Sequence, residues 1–177
     1  MAALIEASQA PGAAYEVVLV LSNRPDAAGL ETARRAGVEA LSIDHRPFGK
    51  DREVHERAVN AELERAGIEV VALAGYMRLL TPFLVGRWAG RMLNIHPSLL
   101  PLYPGLDTHA RALAAGDAEA GCTVHLVTEG VDEGPVIDQA RVPILPDDTA
   151  ERLAARVLAA EHDLYPAALS AFCRALS

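Results

Sequence analysis

Apolar residues along this chain fall into short runs separated by stretches in which they recur every three or four positions. Glu16 to Leu21 (EVVLVL) is almost continuously apolar and rich in β-branched residues, the pattern of a strand buried on both faces. Ile68 to Ala74 (IEVVALA) repeats it. Val38 to Ile43 and Arg91 to Ile95 are shorter strands, and Gly121 to Thr128 (GCTVHLVT) alternates as a strand should. Val136 to Ile144 alternates in part, with Pro143 near its end. Helical spacing covers the segments between. Met1 to Ala10 predicts a helix stopped by Pro11-Gly12, and Ala27 to Ala36 one closed by Gly37. Asp51 to Ala66 predicts a charged amphipathic helix capped by Gly67, Thr81-Pro82 opens a short helix to about Trp88, and Thr108 to Ala115 is another. The last helix runs to about Leu176. Asp148 is its expected cap, Glu151 completes a capping box, and Pro166 is expected to kink or break it.

Strand and helix alternate through the first half. That predicts an α/β fold in a single domain, 1–177, with a mostly parallel central sheet flanked by helices. Ligands of such sheets lie beyond the carboxyl ends of the strands. Composition adds little to this picture. The chain has 177 residues, 51% hydrophobic and 23% charged, and a formal net charge of -8. That balance argues against nucleic acid as a partner, though a local basic pocket for one phosphate is compatible with it. Cys122 and Cys173 lie far apart without metal-type spacing and read as reduced thiols of a cytoplasmic protein. No apolar stretch approaches the roughly eighteen residues of a membrane helix, and no basic region followed by an apolar core marks a signal peptide.

The candidate chemistry gathers at Asn94-Ile95-His96-Pro97-Ser98-Leu99-Leu100-Pro101. Asn94 and His96 are two apart, so on a strand they share a face. An amide donor beside an imidazole at a strand end suits a carbonyl oxygen that is gaining charge, with one proton to manage. A carboxylate such as Asp132 would keep that imidazole protonated or orient it. A lone histidine in a loop is more often structural; Asn94 and the two prolines turn that reading around for His96. Asp132 by itself reads as a turn former in a Gly-rich turn, and His125 reads equally as a core histidine or a site residue. His109 follows Asp107 and Thr108 at a helix start, where capping is the plain account. His55 reads as part of a solvated helix face, and His45 and His162 have no special context. No pair has metal-ligand spacing, so no metal is expected.

The segment N-I-H-P-S-L-L-P-L-Y-P-G-L-D-T-H, Asn94 to His109, resembles the signature of the folate-dependent phosphoribosylglycinamide formyltransferase family. S-N-R-P-D-A at Ser22, V-V-A-L-A-G-Y-M-R-L-L at Val70, T-V-H-L-V-T at Thr123, V-D-E-G-P-V-I at Val131 and E-H-D-L-Y-P at Glu161 are similar to that family too. The resemblance implies a Rossmann-like formyltransferase fold. It also implies transfer of a formyl group from 10-formyltetrahydrofolate to glycinamide ribonucleotide in purine biosynthesis, by a monomer or homodimer in the cytoplasm. Related formyltransferases and formyltetrahydrofolate hydrolases share the Asn-x-His and Asp core but differ after the histidine, and a non-catalytic remnant of the fold is the remaining alternative.

By matching position, the resemblance implies that Asn94 donates to the formyl oxygen as it becomes an oxyanion. His96 stabilises that charge and moves a proton, and Asp132 holds His96 and a relaying water. Met77, Arg78, Leu79 and Leu80 are implied to form part of the folate pocket, with Val127 to Asp132 closing over the pterin. Glu161 is implied to bind the ribose, and Lys50 or Arg52 the phosphate. The family pattern also has a buried strand and a G-x-G-S-N phosphate loop ahead of the helix at Met1. Both are absent from this chain. Apolar edges of the neighbouring strands are therefore expected to be exposed, and turnover to be low until that segment is supplied.

Overall fold

The computed structural model describes residues 1–176. Helix α1 (Ala2–Ser8) is followed by β1 (Leu19–Ser22), α2 (Ala28–Arg35) and β2 (Glu39–Ser42). A 3₁₀ turn, Arg46–Phe48, leads into α3 (Arg52–Arg65), then β3 (Val71–Leu73), α4 (Pro82–Arg87) and β4 (Met92–His96). The chain continues through α5 (Thr108–Ala115), β5 (Glu119–Leu126), β6 (Val136–Pro143) and α6 (Ala150–Leu176). The expected α/β architecture stands, with helices against both faces of the strands. Parallel pairing holds in the first half, β1 with β2 and β3 with β4, whereas β5 and β6 add antiparallel ladders beyond β4.

The strands form two ladders, β1-β2 and β3-β4-β5-β6. Leu19 and Leu21 of β1 and Val71 and Leu73 of β3 pack against one cluster made by Val59, Leu63, Leu84, Trp88 and Met92. The ladders thus lie side by side over α3 and α4, and β1 and β3 each keep an unpaired edge. This corrects the expectation that these two strands are fully buried: every residue of both is only half-buried. Apolar runs report burial of both faces, but a strand at a ladder edge also exposes its side.

The opposite face carries the larger core. Leu93 of β4 and Cys122 and Val124 of β5 pack with Leu153, Val157, Tyr165, Ala168 and Leu169 of α6 and Leu4 of α1. The Tyr165 hydroxyl sits 3.0 Å from the Leu73 carbonyl and 3.1 Å from that of Leu93, sharing its hydrogen between β3 and β4. This packing explains why α6 continues through Pro166 instead of breaking there. A proline removes one backbone hydrogen bond, while the buried Leu164, Tyr165, Ala168 and Leu169 hold the turns on either side against the sheet.

The capping of α6 also differs from expectation. Thr149 Oγ1 accepts from the Arg152 backbone N–H at 3.3 Å. Asp148 accepts from the Leu145 N–H at 2.8 Å and pairs with Arg156 at 2.6 Å, its side chain 3% exposed. The Arg156 guanidinium, donating hydrogen bonds, holds the Asp148 carboxyl down at about 2. A depressed carboxyl contributes stability above its unfolded value of about 4 and loses it as pH falls through the folded value. Asp148→Asn is therefore expected to lower the melting temperature at pH 7 and to flatten its decline between about pH 4 and 2, read by circular dichroism melts across pH. An unchanged acid limb would count against the pair.

Two histidines are more committed than their sequence context suggests. His55 is buried, not solvated: its Nε2–H donates to the Ile43 carbonyl at 2.9 Å and its ring meets Phe48 edge-on, centroids 5.3 Å apart. His45 Nδ1–H donates to the Asn23 carbonyl at 2.9 Å. Both tie the 44–50 loop to its neighbours, a tertiary matter that helical spacing cannot reveal. Among the described residues, no helix is long and apolar enough to cross a membrane.

Candidate active site

Alternation along β4 divides its side chains between the two faces. Leu93 enters the α6 core, and Asn94 and His96 stand on the other face. The antiparallel register sets Asn94 opposite His125 and His96 opposite Thr123, so the four side chains share one face. The turn after β5 then folds back over it. Leu126 N–H donates to the Pro135 carbonyl at 2.9 Å, closing the turn. Gly134 permits this approach, since a Cβ there would collide with the Leu126 carbonyl oxygen. Asp132 takes a left-handed backbone conformation, φ 55°, that aspartate tolerates better than most residues. Its carboxylate is thereby delivered to β4, 36 residues away in the chain only by sequence.

Asp132 Oδ2 accepts from the Gly105 backbone N–H at 2.9 Å and lies 3.3 Å from His96 Nδ1. Asp132 Oδ1 lies 3.6 Å from His125 Nε2. His96 Nε2–H donates to the Tyr103 carbonyl at 3.0 Å. Both ring nitrogens of His96 thus face oxygen acceptors, and only the imidazolium donates to both. His125 has the opposite arrangement. Its Nδ1–H donates to the Leu126 carbonyl at 2.9 Å, which leaves Nε2 to accept from Asn94 Nδ2 at 3.2 Å. Burial lowers the His125 pKa, opposed by the Leu126 carbonyl and Asp132 and assisted by His96, so the ring stays neutral at pH 7. A neutral His125 fixes the Asn94 amide through one of its two N–H groups.

The proline-flanked loop after His96 is clamped to the sheet. Thr123 Oγ1 donates to the Ser98 carbonyl at 2.7 Å and accepts from the Leu100 N–H at 3.0 Å. Gln139 Nε2 donates to the Leu100 carbonyl at 2.8 Å. Thr123, Gln139 and the Gly105 N–H escaped the sequence reading, and His125 was left open by it. Alternation did carry a signal, because it puts His125 on one face with Thr123. The pairing that brings that face to Asn94 is tertiary.

The other predicted site residues are distributed as follows. The segment after β3 leaves Met77 76% and Leu79 60% exposed, with Arg78 and Leu80 between and after them half-buried. Val127 N–H donates to the Met92 carbonyl at 2.8 Å, which roots the turn carrying Asp132. Lys50 is exposed in the loop before α3, and Arg52 donates from Nη1 to the Leu79 carbonyl at 3.1 Å. Glu161 lies on α6, half-buried, where burial raises its pKa. His109 Nε2 is buried with no hydrogen-bond partner, and burial lowers its pKa. Among the described residues no group of His, Cys, Asp and Glu side chains is arranged to hold a metal ion. The cluster holds a carboxylate, a histidine that pairs with it, a neutral histidine and an oriented amide on one face. That set can stabilise an oxyanion and carry a proton.

The family model described as formyl transferase matches residues 1–169. The chain is 46% identical over 170 residues to the phosphoribosylglycinamide formyltransferase of Escherichia coli, covering 96% of this chain and 80% of that one. It is 49% identical over 170 residues to the trifunctional purine biosynthetic protein adenosine-3 of Drosophila melanogaster, covering 95% of this chain but 12% of that much longer protein. Among solved structures, the phosphoribosylglycinamide formyltransferase of Brucella melitensis superposes with a TM-score of 0.93 at 54% identity, over 98% of this chain and 88% of that one. Glycinamide ribonucleotide transformylase 1 of Symbiobacterium toebii does so with a TM-score of 0.94 at 46% identity, over 98% and 82%.

Proposed function

The chain belongs to the formyl transferase family, and we propose that it transfers a formyl group from 10-formyltetrahydrofolate to the amine of glycinamide ribonucleotide, a step of purine biosynthesis. The observation that carries the reading is the Asp132 carboxylate set between His96 at 3.3 Å and His125 at 3.6 Å, with Asn94 hydrogen-bonded to His125. Attack of a primary amine on a formyl carbon generates a tetrahedral oxyanion and an ammonium proton that must leave. Asn94, its amide fixed by His125, donates its remaining N–H to the oxyanion. One such donor contributes about 3 kcal/mol of transition-state stabilisation.

His96 supplies positive charge beside the same oxygen. Its ring donates to Asp132 and Tyr103 as it stands, so its charge acts without a free N–H. A proton passes through Nε2 only when that nitrogen leaves the Tyr103 carbonyl. Asp132 holds the charge on His96 and receives the amine proton through a water, from which the proton goes to the departing folate nitrogen. This acid–base contribution is about a hundredfold or more. Met77 and Leu79 support the donor assignment, since large apolar side chains left exposed beside a site suit a flat heteroaromatic ring. Leu80, Arg78, Val127 and Asp132 complete that side of the site. Glu161 is assigned to the ribose and Lys50 to the phosphate. Arg52, bonded to the Leu79 carbonyl, serves the donor side in this reading.

Formyl transfer tests the proposal. The chain is mixed with glycinamide ribonucleotide and a 10-formyltetrahydrofolate analogue, and release of the deformylated folate is followed. A parallel assay uses the chain with a strand and a G-x-G-S-N loop added ahead of Met1. Release is expected to require the amine acceptor and to be greater with the added segment. Release without an acceptor would assign hydrolysis instead, and silence from both proteins would overturn the proposal.

A further inference from the structure

The segment between β3 and α4 is held in an unusual way. Among the described residues, none of the loop backbone hydrogen bonds falls on residues 75–80. Beyond a Tyr76–Arg78 side-chain hydrogen bond and the packing of Leu80, what fixes this stretch comes from the first turns of α3. Arg52 Nη1 donates to the Leu79 carbonyl at 3.1 Å. Four residues on, on the same helix face, the Glu56 carboxylate accepts from the Thr81 backbone N–H at 2.9 Å to Oε1 and 3.1 Å to Oε2. It also accepts from the Thr81 hydroxyl. Glu56 is 2% exposed and Thr81 is buried beside it. A carboxylate is almost never this deeply buried without a partner, and no cation is paired with this one among the described residues. Its charge is met by the donors of Thr81, the residue at which the loop re-enters regular structure.

We propose that Glu56 is a positioning residue for the formyl-donor side of the site: through Thr81, with Arg52 on Leu79, it sets the path of residues 75–80 and the placement of Met77 and Leu79. This inference rests on the proposed function for what the loop binds, but not for how the loop is held. Core packing alone would be served by an apolar side chain here. A carboxylate instead requires donors in fixed directions, which fixes a backbone that has no ladder of its own. The loop then presents large apolar side chains to solvent without collapsing onto the cluster beneath, where Leu80 is packed.

The test uses Glu56→Gln and Thr81→Val in the whole chain. Glutamine keeps the shape of glutamate but turns amide hydrogens toward groups that are themselves donors. Thr81→Val removes the hydroxyl and leaves the backbone bonds, so it gives a milder effect in a protein that keeps its fold. Tryptic cleavage after Arg78, followed by mass spectrometry without any substrate, reads the loop directly. Glu56→Gln is expected to raise that rate roughly tenfold relative to cleavage elsewhere in the chain, with Thr81→Val in between. The Michaelis constant for the formyl-folate analogue should rise roughly tenfold while that for the amine acceptor stays put. Cleavage after Arg78 at the parent rate in both variants would overturn the anchoring role. A loosened loop with an unchanged donor constant would overturn the donor-side role. If the parent protein transfers no formyl group, the proposed function fails, and the proteolysis still decides what Glu56 does.

Discussion

Asp132→Asn should reduce kcat/KM for formyl transfer by about a thousandfold while leaving the fold intact. The magnitude lies within the range of about a hundred to ten thousand that a positioned acid–base group supplies. Asp132 Oδ2 takes the Gly105 N–H and faces His96, while Oδ1 faces His125. Asparagine fills the same space, so the turn from residue 130 to 135 and the contact to Gly105 survive. The negative charge does not. His96 loses the carboxylate that its Nδ1 faces, and the site loses its proposed proton acceptor. One amide edge must also place hydrogens toward either the Gly105 N–H or His125. Some stability should go with the charge, because removing one partner of a mostly buried pair leaves the other uncompensated, and the melt reads that loss separately from the kinetics. The measurement is steady-state transfer by parent and variant, with melting curves alongside. A variant within tenfold of the parent, with an unchanged melt, would remove Asp132 from the chemistry and leave it a turn residue.

Leu93→Ala is expected to give the largest loss of stability, about 3 kcal/mol, with much smaller consequences for the chemistry. Leu93, the second residue of β4, is fully buried among Val124, Leu153, Val157 and Tyr165. Truncating a buried leucine costs about 2–5 kcal/mol, because the lost transfer energy is joined by the cavity left behind. The site is poor at collapsing to fill it: β4 is paired on both sides and the Tyr165 hydroxyl holds the Leu93 carbonyl. In a chain of this size each kcal/mol is about 2–4 °C, so the midpoint should fall by about 10 °C. The neighbouring Asn94 stands on the opposite face and keeps its bond to His125. Activity well below the midpoint should therefore persist within a few fold. A calorimetric midpoint within about 2 °C of the parent would mean that β4 contributes far less to the core than its burial indicates.

Much of this protein was legible in its residues. Apolar runs located every strand and helical spacing every helix, because those periods follow from backbone geometry alone. The alternation of Asn94 and His96 announced a shared face for the same reason. The resemblance from Asn94 to His109 pointed to the formyl transferase family that the comparisons support. What the residues left open is what depends on two distant segments meeting. The capping of α6 by Thr149 instead of Asp148 turned on Arg156, two helical turns away, competing for the carboxylate. His55 was misread because a helical wheel cannot show that the Ile43 carbonyl lies above it. Half-burial of β1 and β3 followed from which strands pair; an apolar run is silent on that, though the resemblance implied exposed apolar strand edges. The site itself divides along this line. Alternation alone makes Asn94 and His96 neighbours on one strand face. The folded chain adds that Asp132, which the resemblance had already set beside His96, reaches both histidines, that His125 orients Asn94, and that Glu56 anchors the adjoining loop. These contacts depend on antiparallel register, a left-handed turn and a buried carboxylate's need for donors, conditions met only once the chain has folded onto itself.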